Sequence, residues 1–247
     1  MNIELLSIDL TNYCSKQCPF CYNHSSLEGN TLWRPQEVIK FLTDCISNGV
    51  KSISLGGGEP FEYDGIFEII DAIYPQAYLS ITSNGLLLGE SISWDYLARH
   101  KPDKIHLSLH NPGSRTELQS VISKMMKIQE IGIKPGCNIL VSANLTEDSR
   151  LAYKELLKFL SPAQIIIIPQ RYTDTPTPEQ LAYVSDNQAF QSPSCILGCK
   201  RPESFVSVSW DKKVNFCSYA KGKVALKSLD FKGMTDALKN VEFESCM

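Results

Sequence analysis

Between residues 3 and 170 the chain alternates short apolar runs with amphipathic stretches, about six times over, and few folds tolerate that rhythm. The apolar runs cover 3–10, 51–57, 77–85, 104–110, 134–144 and 164–170. They are bounded by Gly and Pro, as strands are when helices cover both faces of their sheet. Between them, 35–48, 65–75, 93–100, 114–132 and 146–160 read as helices. Val38, Ile39, Leu42, Cys45 and Ile46 fall at spacings of three and four, and Pro35 suits a first helical turn. Acidic residues open the stretch 146–160, where a helix N-terminus favours them.

A complete eight-unit barrel of this kind takes ~250 residues. The pattern here stops after about six units, so an α/β fold built on a partial, open (β/α)6 barrel is expected. RYTDTPTPEQ (171–180) is rich in Pro and Thr and has no apolar period. It opens a linker or lid over 171–194. Beyond it, 205–210 and 214–219 read as a β-hairpin and 232–240 as a short helix. The expected division is a main barrel at 1–170, the linker, and a small hairpin-plus-helix domain at 195–247.

Composition narrows the setting. Net charge is −3, so no field favours nucleic acid, which is not expected as a partner. MNIELLSIDL lacks the basic flank and long apolar run of a signal peptide, and no stretch approaches the ~18 apolar residues that span a bilayer. A cytoplasmic protein without a membrane partner is expected. Nine cysteines in a reducing compartment point to metal ligation before disulfides.

Three of them, Cys14, Cys18 and Cys21, stand in the order C-x3-C-x2-C just after the first strand. A [4Fe–4S] cluster takes four protein thiolates when closed. Three local thiolates leave one iron open to a ligand that is not protein. Zinc would need a fourth donor, and His24, three residues on, keeps a C-x3-C-x2-C-x2-H site in a structural protein open as an alternative. Four more cysteines, Cys195, Cys199, Cys217 and Cys246, follow the linker, with Cys199 and Cys217 18 apart on either side of SFVSVSWDKKVNF (204–216). Cys45 sits on an apolar helical stripe and reads as core. Cys137 lies on the fifth strand and reads as core or as a thiol turned into the barrel. His100 and His106 carry no local signal of function.

C-x3-C-x-Φ-C, with Phe20 before the last cysteine, resembles the signature of the radical S-adenosylmethionine (SAM) superfamily. Gly57-Gly58-Glu59-Pro60 at the end of the second strand is similar to that family's GGEP motif, and Thr82-Ser83-Asn84-Gly85, Ser108 and His110 fall at further strand ends. The resemblance covers roughly 5–170 and implies a [4Fe–4S] cluster on Cys14, Cys18 and Cys21 whose open iron takes the amine and carboxylate of SAM. It implies reductive cleavage to methionine and a 5′-deoxyadenosyl radical that abstracts a substrate hydrogen atom. An external one-electron reductant of flavodoxin or ferredoxin type would serve as partner. Gly57, Gly58 and Glu59 would meet the methionine ammonium, with Pro60 stiffening the turn. Ser83, Asn84, Ser108, Asn138 and Tyr172 are candidates for the rest of the cofactor. His110, Cys137 and Arg171 are the candidates nearest to catalysis, at strand ends or inside the barrel.

The segment after the linker resembles the small twitch or SPASM domain of many such enzymes. That implies one auxiliary [4Fe–4S] cluster on Cys195, Cys199, Cys217 and Cys246, able to accept the electron left after abstraction. Oxidative modification or cross-linking of a ribosomally made peptide, as in natural-product biosynthesis, is the expected reaction. Oxidation of a small molecule such as an aminocyclitol is the alternative.

Overall fold

The computed structural model describes residues 1–187 and 201–244. Packing divides the chain into two compact units. The first holds Met1–Ser83, His100–Asp103 and the described part of Arg201–Cys246; the second holds Asn84–Arg99 and the described part of Lys104–Lys200.

In the first unit, β1 (Leu5–Thr11), β2 (Ser52–Gly57) and β3 (Tyr78–Ser83) run parallel, in the order β3-β2-β1. On the far side of β1 lies β7 (Phe205–Val208), also parallel to it, followed by β8 (Lys213–Asn215) and β9 (Val224–Ala225), each antiparallel to its neighbour. The expected hairpin is therefore present. It continues the sheet from β1 instead of standing apart from it, and β9 extends it by a strand absent from the sequence reading. The helices α1 (Pro35–Ser47), α2 (Ile66–Ile73) and α7 (Phe231–Leu238) bury Val38, Phe41, Leu42, Ile69, Ile70 and Met234. On β1 the fully buried residues are Leu6, Ile8 and Leu10.

The other face of these strands is unusual for its small hydroxyls. Ser7 lies beside Ser54 on one side and Ser207 on the other, and Ser54 lies beside Ser80. Four strands thus present serine at one register level.

In the second unit β4 (Lys104–Leu109), β5 (Lys134–Val141) and β6 (Ile165–Pro169) are parallel, in the order β6-β5-β4. α3 (Trp94–Arg99), α4 (Arg115–Glu130) and α5 (Thr146–Leu156) occupy the expected stretches, with α5 ending four residues early. Within the stretch expected as a linker or lid, Pro178–Val184 is a helix, α6, while 188–194 lie outside the described residues. Thr177 and Gln180 form a reciprocal capping box and Pro178 sits in the first turn. The Pro and Thr that suggested a loop are this helix's start signal.

The α/β class, with β1 to β6 alternating with α1 to α5 and mostly parallel, is as expected for a partial (β/α)6 barrel. Among the described residues no helix is long and apolar enough to cross a membrane.

Candidate functional site

The cysteine loop is held at its stem from two sides. On one side Asn12 donates from its backbone to Asn30 (3.0 Å), Ser26 donates to Asn12 (3.2 Å) and Cys14 donates to Ser26 (3.0 Å). On the other, Gly58 N–H donates to Thr11 O (2.6 Å) and Glu59 N–H to Tyr13 O (2.9 Å). Such a close approach of three chain segments leaves no room for side chains. A Cβ on Gly29 would sit 2.2 Å from Asn12 O, one on Gly57 2.4 Å from Thr11 O, and one on Gly58 2.0 Å from Tyr13 O. Gly57 also has φ +114, in the region that glycine alone adopts readily. The glycines expected to approach the cofactor are thus needed first to seat the cysteine loop, and the N–H groups of Gly58 and Glu59 are spent on it.

Past the stem, Cys21 N–H closes a turn on Cys18 O and His24 N–H one on Cys21 O, both at 3.1 Å. Gln17 and His24 take φ of 50. Ser15 donates from its backbone to Glu62 Oε2 (2.9 Å) and from its hydroxyl to the same carboxylate, so the single turn Pro60–Glu62 anchors the loop's outer arm. Glu62 escaped the sequence reading, although its place three residues after Glu59 was visible. Cys14 is 8% exposed, while Cys18, Cys21 and Phe20 are half-buried. Among the described residues no three His, Cys, Asp or Glu are gathered to hold a single ion. A cube makes a different demand, because each thiolate binds its own iron. Three thiols on one loop with a turn at each of the last two fit it.

Glu59 is 1% exposed. Its Oε1 accepts from Phe61 N–H (3.1 Å) and from Ser83 Oγ–H (2.8 Å). Pro60 is buried and starts the turn that follows. The ends of β2 and β3 therefore bring Glu59 and Ser83 together, as two of the expected cofactor residues. A carboxylate offers about four acceptor positions and a negative charge, the chemistry an ammonium needs.

Cys217 belongs to the same unit. Tyr22 and Tyr219 pack with ring centroids 4.4 Å apart and their planes tilted by 46°. The Tyr22 phenol is pushed well above its ordinary value, first by burial and then by Asp9, Tyr219, Cys21 and Cys217. Cys21 and Cys217 thus both act on the phenol of this aromatic pair. Cys195, Cys199 and Cys246 lie outside the described residues.

In the second unit, Ser108 and Asn138 are register neighbours on β4 and β5. Asn138 Oδ1 lies 2.9 Å from His106 Nδ1, which must carry the proton because a carbonyl oxygen only accepts. Burial, then the charge of Lys104, lowers His106 to about 4, so its ring is neutral near pH 7. A Cβ on Gly136 would meet this ring at 2.7 Å, which explains the glycine. His106 was passed over in the sequence, yet the strand period places it on the same face as Ser108.

Cys137 is on the opposite face, beside Leu107 and fully buried with Leu109 and Ile139. Burial pushes its thiol up to about 12. The reading that turned it into the barrel as a catalytic candidate is corrected: it is a core residue. His110 donates from its backbone to Glu117 Oε1 (3.1 Å), and its ring lies 3.5 Å from the same oxygen. It thus serves the β4–α4 turn. Asn84 Oδ1 accepts from Leu86 N–H (2.8 Å) and shapes a loop. Arg171 is 8% exposed, whereas Tyr172 is 59% exposed with φ 71.

The profile of the radical SAM superfamily matches residues 8–157. The chain belongs to that superfamily. Its matched span carries Cys14, Cys18, Cys21 and the Gly57–Pro60 turn. A GTP 3′,8-cyclase from Clostridium perfringens is 24% identical over 242 residues, covering 87% of this chain and 73% of that protein. Among solved structures, Streptococcus suis SuiB bound to its precursor peptide SuiA has a TM-score of 0.67 at 18% identity, covering 87% of this chain. The chain spans 60% of SuiB's length. The structure of anSMEcpe with bound AdoMet and a peptide has a TM-score of 0.64 at 14% identity, covering 95% of this chain and 82% of that one. At these identities the structural likenesses speak for the fold, and the family profile for a radical SAM enzyme.

Proposed function

We propose that this radical SAM enzyme modifies a ribosomally made peptide by hydrogen-atom abstraction, with oxidation or cross-linking as the outcome. When bound, the cluster and SAM supply one-electron cleavage of the sulfonium and so the abstracting radical. The chain's residues do the rest. Cys14, Cys18 and Cys21 hold three irons. Glu59, oriented by Ser83, receives the methionine ammonium. The paired backbone of 11–14, 26–30 and 57–59 fixes one against the other. That fixed relation between the thiol loop and the Glu59 carboxylate is the observation that carries the proposal. SuiB and anSMEcpe, whose structures contain peptides, support the choice of substrate.

A second cluster on Cys195, Cys199, Cys217 and Cys246 belongs to the same reading, as acceptor of the electron left on the substrate. The placement of Cys217 in the unit of the first three cysteines supports it. An external flavodoxin- or ferredoxin-type protein would supply the reducing electron. A second reading, action on a nucleotide, draws on the GTP 3′,8-cyclase relative. Action on an aminocyclitol-like small molecule completes the choice.

Anaerobic reconstitution followed by incubation with SAM, dithionite and candidate substrates tests this. Deuterium should pass from labelled substrate into 5′-deoxyadenosine. A reconstituted chain that binds no iron, or forms no 5′-deoxyadenosine, rules the proposal out. Transfer from GTP instead of a peptide replaces the substrate.

A further inference from the structure

On β1, five residues before Cys14, stands a carboxylate that nothing so far has used. Asp9 is 1% exposed, and its Oδ2 is buried with no hydrogen-bond partner among the described residues. Leaving a buried carboxylate unpaired is costly. The strand could have placed a serine there, as it does at Ser7 two residues earlier.

The surroundings show where the carboxylate is aimed. Asp9 lies beside Gly56 of β2. Among the described residues, a Cβ built on Gly56 would meet only one atom within 4 Å, Asp9 Oδ1 at 3.6 Å. Steric need therefore does not explain this glycine, in contrast to Gly57 and Gly58. No other described atom comes within 4 Å of that position, so a small group beside the acid meets no steric bar from the described residues. One register level below run Ser207, Ser7, Ser54 and Ser80, a row of hydroxyls.

The charged and titratable groups acting on Asp9 are few. Lys223, half-buried, attracts it from a distance without an ion pair. Asp211 repels it but is itself occupied by Lys213 at 2.6 Å and by Ser209. The charge of Asp9 in turn helps to raise the Tyr22 phenol, so the two are near one another. Among the described residues none supplies the donor that the carboxylate Oδ2 lacks.

We infer that Asp9 and the position beside it at Gly56 form a subsite for a primary ammonium group of the substrate. This rests on the proposed action on an external substrate and names its chemistry. An ammonium brings three donors and a charge, so it completes the carboxylate and can share the serine hydroxyls. A lysine side chain or free amino terminus of a peptide carries that group, as does an aminocyclitol. A nucleoside triphosphate would set phosphate charge against the acid. SAM carries an ammonium too, so the test must separate cofactor from substrate.

The test is thermal unfolding of the reconstituted protein at pH 7.5, with ethanolamine as probe and ethylene glycol as its uncharged counterpart, each at tens of millimolar. Saturating S-adenosylhomocysteine is present in one arm. Ethanolamine should raise the midpoint by about 2 °C, and ethylene glycol by less than a third of that. The gain should vanish in Asp9→Asn, which keeps the shape and removes the charge. It should persist when S-adenosylhomocysteine is bound.

Equal gains in wild type and Asp9→Asn, or no gain in either, overturn the inference. Loss of the gain on adding S-adenosylhomocysteine overturns it as well and gives Asp9 to the cofactor. Because the readout is binding, a chain that never cleaves SAM can still pass, and one that cleaves it can still fail.

Discussion

Ser83 Oγ donates to Glu59 Oε1 at 2.8 Å, tying the end of β3 to the first residue beyond β2's glycines. Both side chains are almost wholly buried, so the bond is unscreened and fixes the direction of the carboxylate. Ser83→Ala should cost about 1.5–3 kcal/mol of stability and weaken SAM binding by about tenfold. Urea unfolding and calorimetric titration read the two effects. Ser83→Thr, which keeps a hydroxyl, should recover most of the affinity.

Gly58→Ala should be far worse than its size suggests. Its methyl would stand 2.0 Å from Tyr13 O, which is backbone and cannot swing away. The end of β2 and the cysteine stem must then part. A loss of about 1–3 kcal/mol or more is expected, together with a lower iron-to-protein ratio after reconstitution. Gly56→Ala is the internal comparison and should stay within about 0.5 kcal/mol of wild type.

Iron content separates the cysteines. Cys18→Ala should abolish 5′-deoxyadenosine formation. Cys217→Ala should lower total iron by about half, one cluster of two. Cys137→Ala removes a core thiol pushed up to about 12 and should leave iron unchanged while costing stability through the cavity it opens. Iron analysis of the three variants beside wild type, with a 5′-deoxyadenosine assay for Cys18→Ala and urea unfolding for Cys137→Ala, checks these outcomes. Unchanged iron in Cys217→Ala would remove the second cluster.

His106 gives the stability a pH signature. Its folded value, about 4, lies below the ordinary 6.5, so the unfolded chain binds its proton more readily. The stability from burying a neutral ring is therefore complete above pH 6.5 and is lost as pH falls through that value toward 4. His106→Gln should flatten the decline over this window. Unfolding midpoints between pH 4 and 8 measure it, and an equally steep decline in the variant would assign the proton uptake to another group.

The strand and helix order was legible because apolar runs and helical spacing are local, as Val38, Leu42 and Cys45 on α1 show. The Cys14–Cys21 loop was legible because its chemistry is written in consecutive residues. What the sequence hides are pairings across distance. Glu62 holds Ser15 from 47 residues away, and His106 meets Asn138 from 32. The α6 helix was hidden for a different reason: Thr177-Pro178 opens loops and helices alike, and the capping partner Gln180 decides between them. Gly57 and Gly58 were read as cofactor contacts, whereas the distances give them first to the loop stem.

The parallel pairing of β7 with β1 from Leu5↔Phe205 to Ile8↔Val208 bears on any attempt to shorten this chain. Cutting the protein after β6 to isolate the half that carries the N-terminal cysteines would strip β1 of one neighbour. A row of amides and carbonyls on a very apolar strand would then lie bare, an invitation to self-association. The truncated half should precipitate for that reason, with its thiols intact and never tested.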